Sequence, residues 1–121
     1  MTITPHATTF DCGDALALAR FWSEALGQPV DPEASEEFAS IGMNDGTPPV
    51  GRWMFIKVPE GKSAKNRVHV DFSTGGDLEA EVERLVGLGA TRHGDFDEYG
   101  VRWVTLTDPE GNEFDVAVEK Q

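Results

Sequence analysis

Residues 66–73, Asn66-Arg67-Val68-His69-Val70-Asp71-Phe72-Ser73, carry the pattern on which the fold turns. Val68, Val70 and Phe72 alternate with His69, Asp71 and Ser73, the period of a strand with one buried face and one open face. Gly75-Gly76 breaks the pattern, and Asp77 stands as an N-cap ahead of Leu78, Val82, Leu85 and Val86, an apolar stripe at helical spacing over 78–88. Gly89 closes that helix. Strand-like segments follow at 90–97, 101–107 and 112–118. Glu98-Tyr99-Gly100 and Asp108-Pro109-Glu110-Gly111-Asn112 join them, both of tight-turn composition. The unit reads as strand, helix, three strands.

The first half repeats it. Residues 3–12 mix Thr, Ile and Phe as a strand does, and Asp14 caps a helix over Ala15–Leu26 whose apolar face is Leu18, Phe21, Trp22, Ala25 and Leu26. Gly27 ends it. Residues 37–43 and 51–58 read as a hairpin around Asn44-Asp45-Gly46 and Pro48-Pro49. Phe10 to Phe72 and Gly27 to Gly89 are each 62 residues apart, so the chain is an internal duplication. Two modules, 1–58 and 67–121, are expected within one domain spanning 1–121, joined by the Pro-, Gly- and Ser-bearing connector 59–66. Neither module can bury both faces of its sheet alone, and the fold class is α+β.

Composition sets the function classes. The 121 residues carry 22 Asp plus Glu against 10 Lys plus Arg, a formal net charge of -12. Such a chain repels phosphate backbones and anionic membrane leaflets, so nucleic acid and membrane are excluded as partners. A small neutral or cationic molecule suits the field. With 39% hydrophobic residues the chain can bury a core. Cys12 is the single cysteine, so no internal disulfide exists and a reducing, cytoplasmic location is expected. The start shows no basic stretch followed by an apolar core, and no run approaches the roughly 18 apolar residues that span a bilayer.

Five stretches, in order, resemble the vicinal oxygen chelate superfamily in its glyoxalase/bleomycin resistance protein-like branch. They are Asp11-Cys12-Gly13-Asp14; Phe21-Trp22 with Leu26-Gly27; Asn66 to Asp71; Leu88-Gly89-Ala90-Thr91; and Trp103 with Asp108 to Phe114. The resemblance implies paired βαβββ modules whose curled mixed sheets enclose a cleft, commonly in a homodimer. It spans glyoxalases, ring-cleaving dioxygenases, epimerases, thiol transferases acting on fosfomycin, and bleomycin-binding resistance proteins. Fold does not choose among them.

Metal-using members resemble one another in four ligand positions, on the first and last strand of each module. In the second module these fall on His69 and Asp115, both of ligating type and both turned to the cleft by alternation. In the first module the 62-residue offset places Ala7 opposite His69, and 51–58 contains no His, Asp, Glu or Gln. Two of four positions are lost, so a firmly bound transition metal is not expected; a weakly held divalent cation stays open. Alternation aims Asp11, Asp71 and Asp115 at the cleft as an acidic floor, with Trp53, Phe55 and Trp103 as aromatic walls, a role weighed against ordinary core packing. Trp22 reads as core and Cys12 as a buried, inert thiol. The expected function is binding of a small organic molecule, cationic in one version, in an acidic Trp-lined cleft without a firmly bound metal. The alternatives are a divalent-metal-dependent lyase, isomerase or dioxygenase using His69 and Asp115, and a non-catalytic accessory module.

Overall fold

A computed structural model describes residues 2–43 and 51–119, the last of these by its backbone alone. The chain divides into two compact units, Met1–Gly61 and Lys62–Gln121, with the division inside the stretch read as connector. Both are α+β, each a helix on a sheet of mixed strands.

The first unit runs β1 (Thr8–Cys12), α1 (Ala15–Leu26), β2 (Phe38–Ile41), β3 (Trp53–Lys57). Its strand order is β1-β3-β2, with β1 parallel and β2 antiparallel to β3. Asp14 accepts a hydrogen bond from the Ala17 amide at 3.1 Å, satisfying one of the orphan donors of the first turn. Gly27 ends α1 at φ 68°, a conformation that a side chain would strain. The helix buries Leu18, Ala19, Phe21 and Trp22. Phe10 lies among Trp22, Trp53 and Phe55, with ring centroids 5.4–5.8 Å away. This aromatic cluster is the unit's core.

The second unit runs β4 (Val70–Ser73), α2 (Leu78–Leu88), β5 (Thr91–Glu98), β6 (Val101–Thr107), β7 (Glu113–Glu119), in the order β4-β7-β6-β5. Asp77 caps α2 through the Ala80 amide at 3.2 Å. Leu78, Val82 and Leu85 are buried, as are Val104, Leu106, Phe114 and Val116 of the sheet. Tyr99 and Gly100, at φ 57° and 74°, make the two-residue turn between β5 and β6, which requires positive φ at both positions. Asp108, 3% exposed, accepts from the amides of Glu110 and Asn112 and fixes the turn into β7.

Pairing register gives the two units corresponding strands. Phe10 pairs with Phe55 across β1 and β3 as Phe72 pairs with Val116 across β4 and β7. Thus β1, β2 and β3 correspond to β4, β6 and β7. The counterpart of β5 is reduced to a single bridge, Val30 with Ile41, beside the Asp31 amide donating to the Ser40 carbonyl. Three strands after the helix were expected here, and two form among the described residues. Pro29 and Pro32 flank the bridge and cannot donate to a ladder, and the Asp31 carboxylate takes the Ser40 hydroxyl at 2.7 Å and the Met43 amide at 3.0 Å. The Asn44-Asp45-Gly46 and Pro48-Pro49 turn lies outside the described residues.

Strand starts also differ from the sequence reading. β1 begins at Thr8, not residue 3, because its partner β3 has only five residues to pair with. β4 begins at Val70, and Val68, expected on the buried face, is 83% exposed. Residues 66–69 are fastened differently: the Asn66 amide donates to Glu113 Oε2 and the Glu113 amide to Asn66 Oδ1, each at 3.0 Å, a clasp that replaces the ladder. Val86, 44% exposed, narrows the expected stripe on α2.

Truncating the first unit's core should be costly. Trp22→Ala is expected to lose about 3–5 kcal/mol in denaturant unfolding, whereas Asp14→Ala, which removes one capping bond, should lose about 1 kcal/mol. Equal losses from the two would contradict the packing described.

Candidate functional site

The two faces of the second unit's sheet differ in chemistry. Alternation sends Val104, Leu106, Phe114 and Val116 into the core, and Trp103, Thr105, Asp115 and Ala117 to the other face. That open face lines a depression of about 620 Å³. Register lays it out in rows: Asp71, Asp115, Thr105 and Gly94 are paired neighbours across β4, β7, β6 and β5, and Ser73, Ala117, Trp103 and Phe96 form the next row. In these two rows acid lies on the β4–β7 side and aromatic surface on the β6–β5 side, with strands about 4.8 Å apart, and Glu98 at the end of β5 also borders the depression.

His69, one residue before β4, closes the acidic end. Its Nδ1 lies 3.1 Å from Asp71 Oδ1 and 3.6 Å from Asp115 Oδ2. The Thr105 hydroxyl donates to Asp115 Oδ1 at 2.6 Å and fixes that carboxylate. The Asn66–Glu113 clasp anchors the chain three residues before His69 and two before Asp115. Partial burial, then the neighbouring Asp71 carboxylate, push the Asp115 carboxyl above its ordinary value; the Thr105 bond and His69 oppose this without reversing it. Burial also pushes the Glu113 carboxyl up, but the amides of Asn66 and Glu113 together with Lys62 bring it below the usual range.

The aromatic side depends on a bulge. Arg92 pairs with Leu106 and Gly94 with Thr105, so His93 is an extra residue in β5. The insertion reverses the alternation that follows and brings Phe96 beside Trp103, ring centroids 5.2 Å apart and planes 16° from parallel. Gly94 makes room for that ring: a Cβ there would meet Phe96 Cε2 at 3.2 Å and Cζ at 3.3 Å. His93 Nε2 lies 2.9 Å from the Thr107 hydroxyl, at the edge of the depression.

His69, Asp71 and Asp115 each present one donor atom, all within 4.8 Å of one another. Metal–ligand bonds of about 2.0–2.6 Å allow three such atoms to share one ion. One imidazole and two carboxylates fit a hard or borderline divalent cation. The corresponding residues of the first unit, by register, are Ala7, Thr9 and Met54, which offer no imidazole or carboxylate.

Of the residues singled out from sequence, His69, Asp71, Asp115 and Trp103 come together on this face. Trp53 and Phe55 do not fit the expected role of ligand walls. At 5% and 0% exposure they stack on Phe10 in the first unit's core, because alternation in β3 sends Met54 and Ile56, not them, to the opposite face. Asp11 is exposed on β1 of the first unit. Sequence reasoning missed Asp71 as a third donor, although its two-residue spacing from His69 was the signal. It also missed Thr105, His93 and Phe96; the last two depend on a bulge that no residue type announces.

The glyoxalase-like domain model matches residues 7–117, and the chain belongs to that family. Its fold is that of a glyoxalase/bleomycin resistance protein/dioxygenase family enzyme from Burkholderia phytofirmans PsJN, at 16% identity and TM-score 0.75, covering 94% of this chain and 97% of that one. A genomically encoded fosfomycin resistance protein from Listeria monocytogenes matches at 11% identity and TM-score 0.75, over 99% and 96% of the two chains. Lactoylglutathione lyase from Agrobacterium tumefaciens matches at 13% identity and TM-score 0.66, over 98% and 95%. No curated protein matches the sequence. Among the described residues no helix is long and apolar enough to cross a membrane.

The Asp115 shift has a sign that can be tested. A carboxyl whose folded pKa is raised contributes stability at low pH that is lost as pH rises through the raised value, so ionised Asp115 weakens the fold. Asp115→Asn removes the charge and keeps an oxygen for Thr105. The variant should melt above wild type at pH 7, with the gap closing as pH falls through the carboxylate range. A variant that melts lower at pH 7 would contradict this electrostatic picture.

Proposed function

We propose that the protein binds a small organic molecule bearing a positive charge, seated on the open face of the second unit. One observation carries the reading. Asp71 and Asp115 are paired neighbours on parallel strands, and among the described residues their ion-pair partner is His69 alone. Opposed carboxylates repel, and a cation placed between them relieves that repulsion. Thr105 pre-orients Asp115, so little ordering is left for the ligand to bring about. The Phe96–Trp103 pair offers the flat apolar surface that small-molecule sites use beside a few polar anchors. No firmly bound metal is needed. Sequestration of a cationic drug is one version. The protein acts as a homodimer in this reading, as the family resemblance implies, and its single cysteine suits a cytoplasmic location.

A second reading rests on the three donors within 4.8 Å of one another. There His69, Asp71 and Asp115 hold a divalent cation weakly, and the protein is a lyase, isomerase or dioxygenase. The ion, when bound, would polarise a substrate oxygen. Thr105 would hold Asp115 within the donor set, and the aromatic pair would orient the organic part and exclude water.

Native mass spectrometry of freshly purified protein separates the readings. The first predicts a retained small organic mass, or uptake of added benzylamine, that is lost in Asp71→Asn/Asp115→Asn. One divalent ion per chain, lost in the same variant, would favour the second. Neither species in wild type would defeat both.

A further inference from the structure

The depression has a second polar anchor that the cation-binding reading does not use. His93 is the inserted residue of the β5 bulge, lines the depression, and is braced through Nε2 by the Thr107 hydroxyl at 2.9 Å. Arg92 and Arg102 on the same two strands reach Glu79 of α2. Among the described residues that β5 and β6 contribute to the depression, none is Lys or Arg and His93 carries the only imidazole. The row Asp115–Thr105–Gly94 sets the separation of the two anchors. From a cation between β4 and β7 to the bulge on β5 is about two and a half strand spacings, about 12 Å.

We infer that His93 is a specificity-determining residue that hydrogen-bonds a polar substituent on the end of the ligand remote from its positive charge. The inference rests on the cation-binding reading and narrows the ligand class. The ligand is a flat ring with a cationic arm on one side and an amide, hydroxyl or similar group on the opposite side. A para-disubstituted benzene with a hydrogen bond of about 3 Å at each end bridges the two anchors. The bulge serves the site twice, since one insertion delivers the His93 imidazole and turns Phe96 onto Trp103. Bulges that re-aim side chains beside a site are a known device. Among the described residues the first unit has no equivalent, its β5 counterpart being the Val30–Ile41 bridge.

The probes are benzylamine and 4-(aminomethyl)benzamide, whose amide can donate or accept and so suits either imidazole tautomer. Isothermal titration of wild type should show the benzamide binding about fivefold tighter, the worth of one net hydrogen bond. In His93→Ala the ratio should fall to about one, and His93→Gln, which keeps a donor and an acceptor, should restore part of it. A wild type that binds both probes equally, or a His93→Ala variant that keeps the preference, overturns this inference and leaves the cation-binding reading standing. Failure of wild type to bind either probe overturns both.

Discussion

Asp71 and Asp115 face each other on adjacent parallel strands, and the arrangement of the second unit's open face follows from that opposition. Two carboxylates about one strand spacing apart cannot both ionise freely. The Thr105 hydroxyl holds one Asp115 oxygen and the His69 ring lies beside the other, while burial first and the neighbouring Asp71 second push the Asp115 carboxyl upward. The fold maintains this tension with rigid means. The parallel register of β4 and β7 fixes the pair, and the Asn66–Glu113 clasp holds the chain that delivers His69. A site that stores repulsion in its free state gains affinity for whatever cation relieves it.

The two halves show how a duplicated frame carries unequal chemistry. Where the second unit presents His69, Asp71, Asp115, Thr105 and Trp103, register gives the first unit Ala7, Thr9, Met54, Ser40 and Phe38. The packing positions are conserved in kind, with Phe10, Trp53 and Phe55 standing where Phe72, Phe114 and Val116 stand. The frame is therefore held by the core face, and the open face is free to differ. The net charge of -12 gains a local meaning here: most acids decorate helices and turns, while two are placed beside a histidine at one end of a depression.

Much of the fold was legible because it is written in local chemistry. Asp14 and Asp77 cap the helices that their positions announce, Gly27 and Gly89 end them, and alternation along 101–107 marked β6 without error. The 62-residue repeat marked two like modules, and the ordered motifs resemble the glyoxalase-like family. What stayed hidden depends on partners. Val68 alternates like a strand residue but lies beyond the pairing of β4 with β7, and Asp31 draws in Ser40 and Met43 where a strand was expected. Trp53 and Phe55 had the composition of ligand walls, and only the register of β3 shows them facing the core. The bulge at His93 moves Phe96 by a one-residue shift that sequence period cannot register.

The central claim is that the acid–aromatic face of the second unit is where the protein takes its ligand. Amide and indole NMR shifts during a benzylamine titration at low salt test it most directly. Resonances of residues 69–71, 103–105 and 115–117 should move together along one binding curve, weaken as salt is raised, and vanish in Asp71→Asn/Asp115→Asn. Shifts confined to β1 and β3 of the first unit, or none on the rows that join Asp71 to Phe96, would contradict the account.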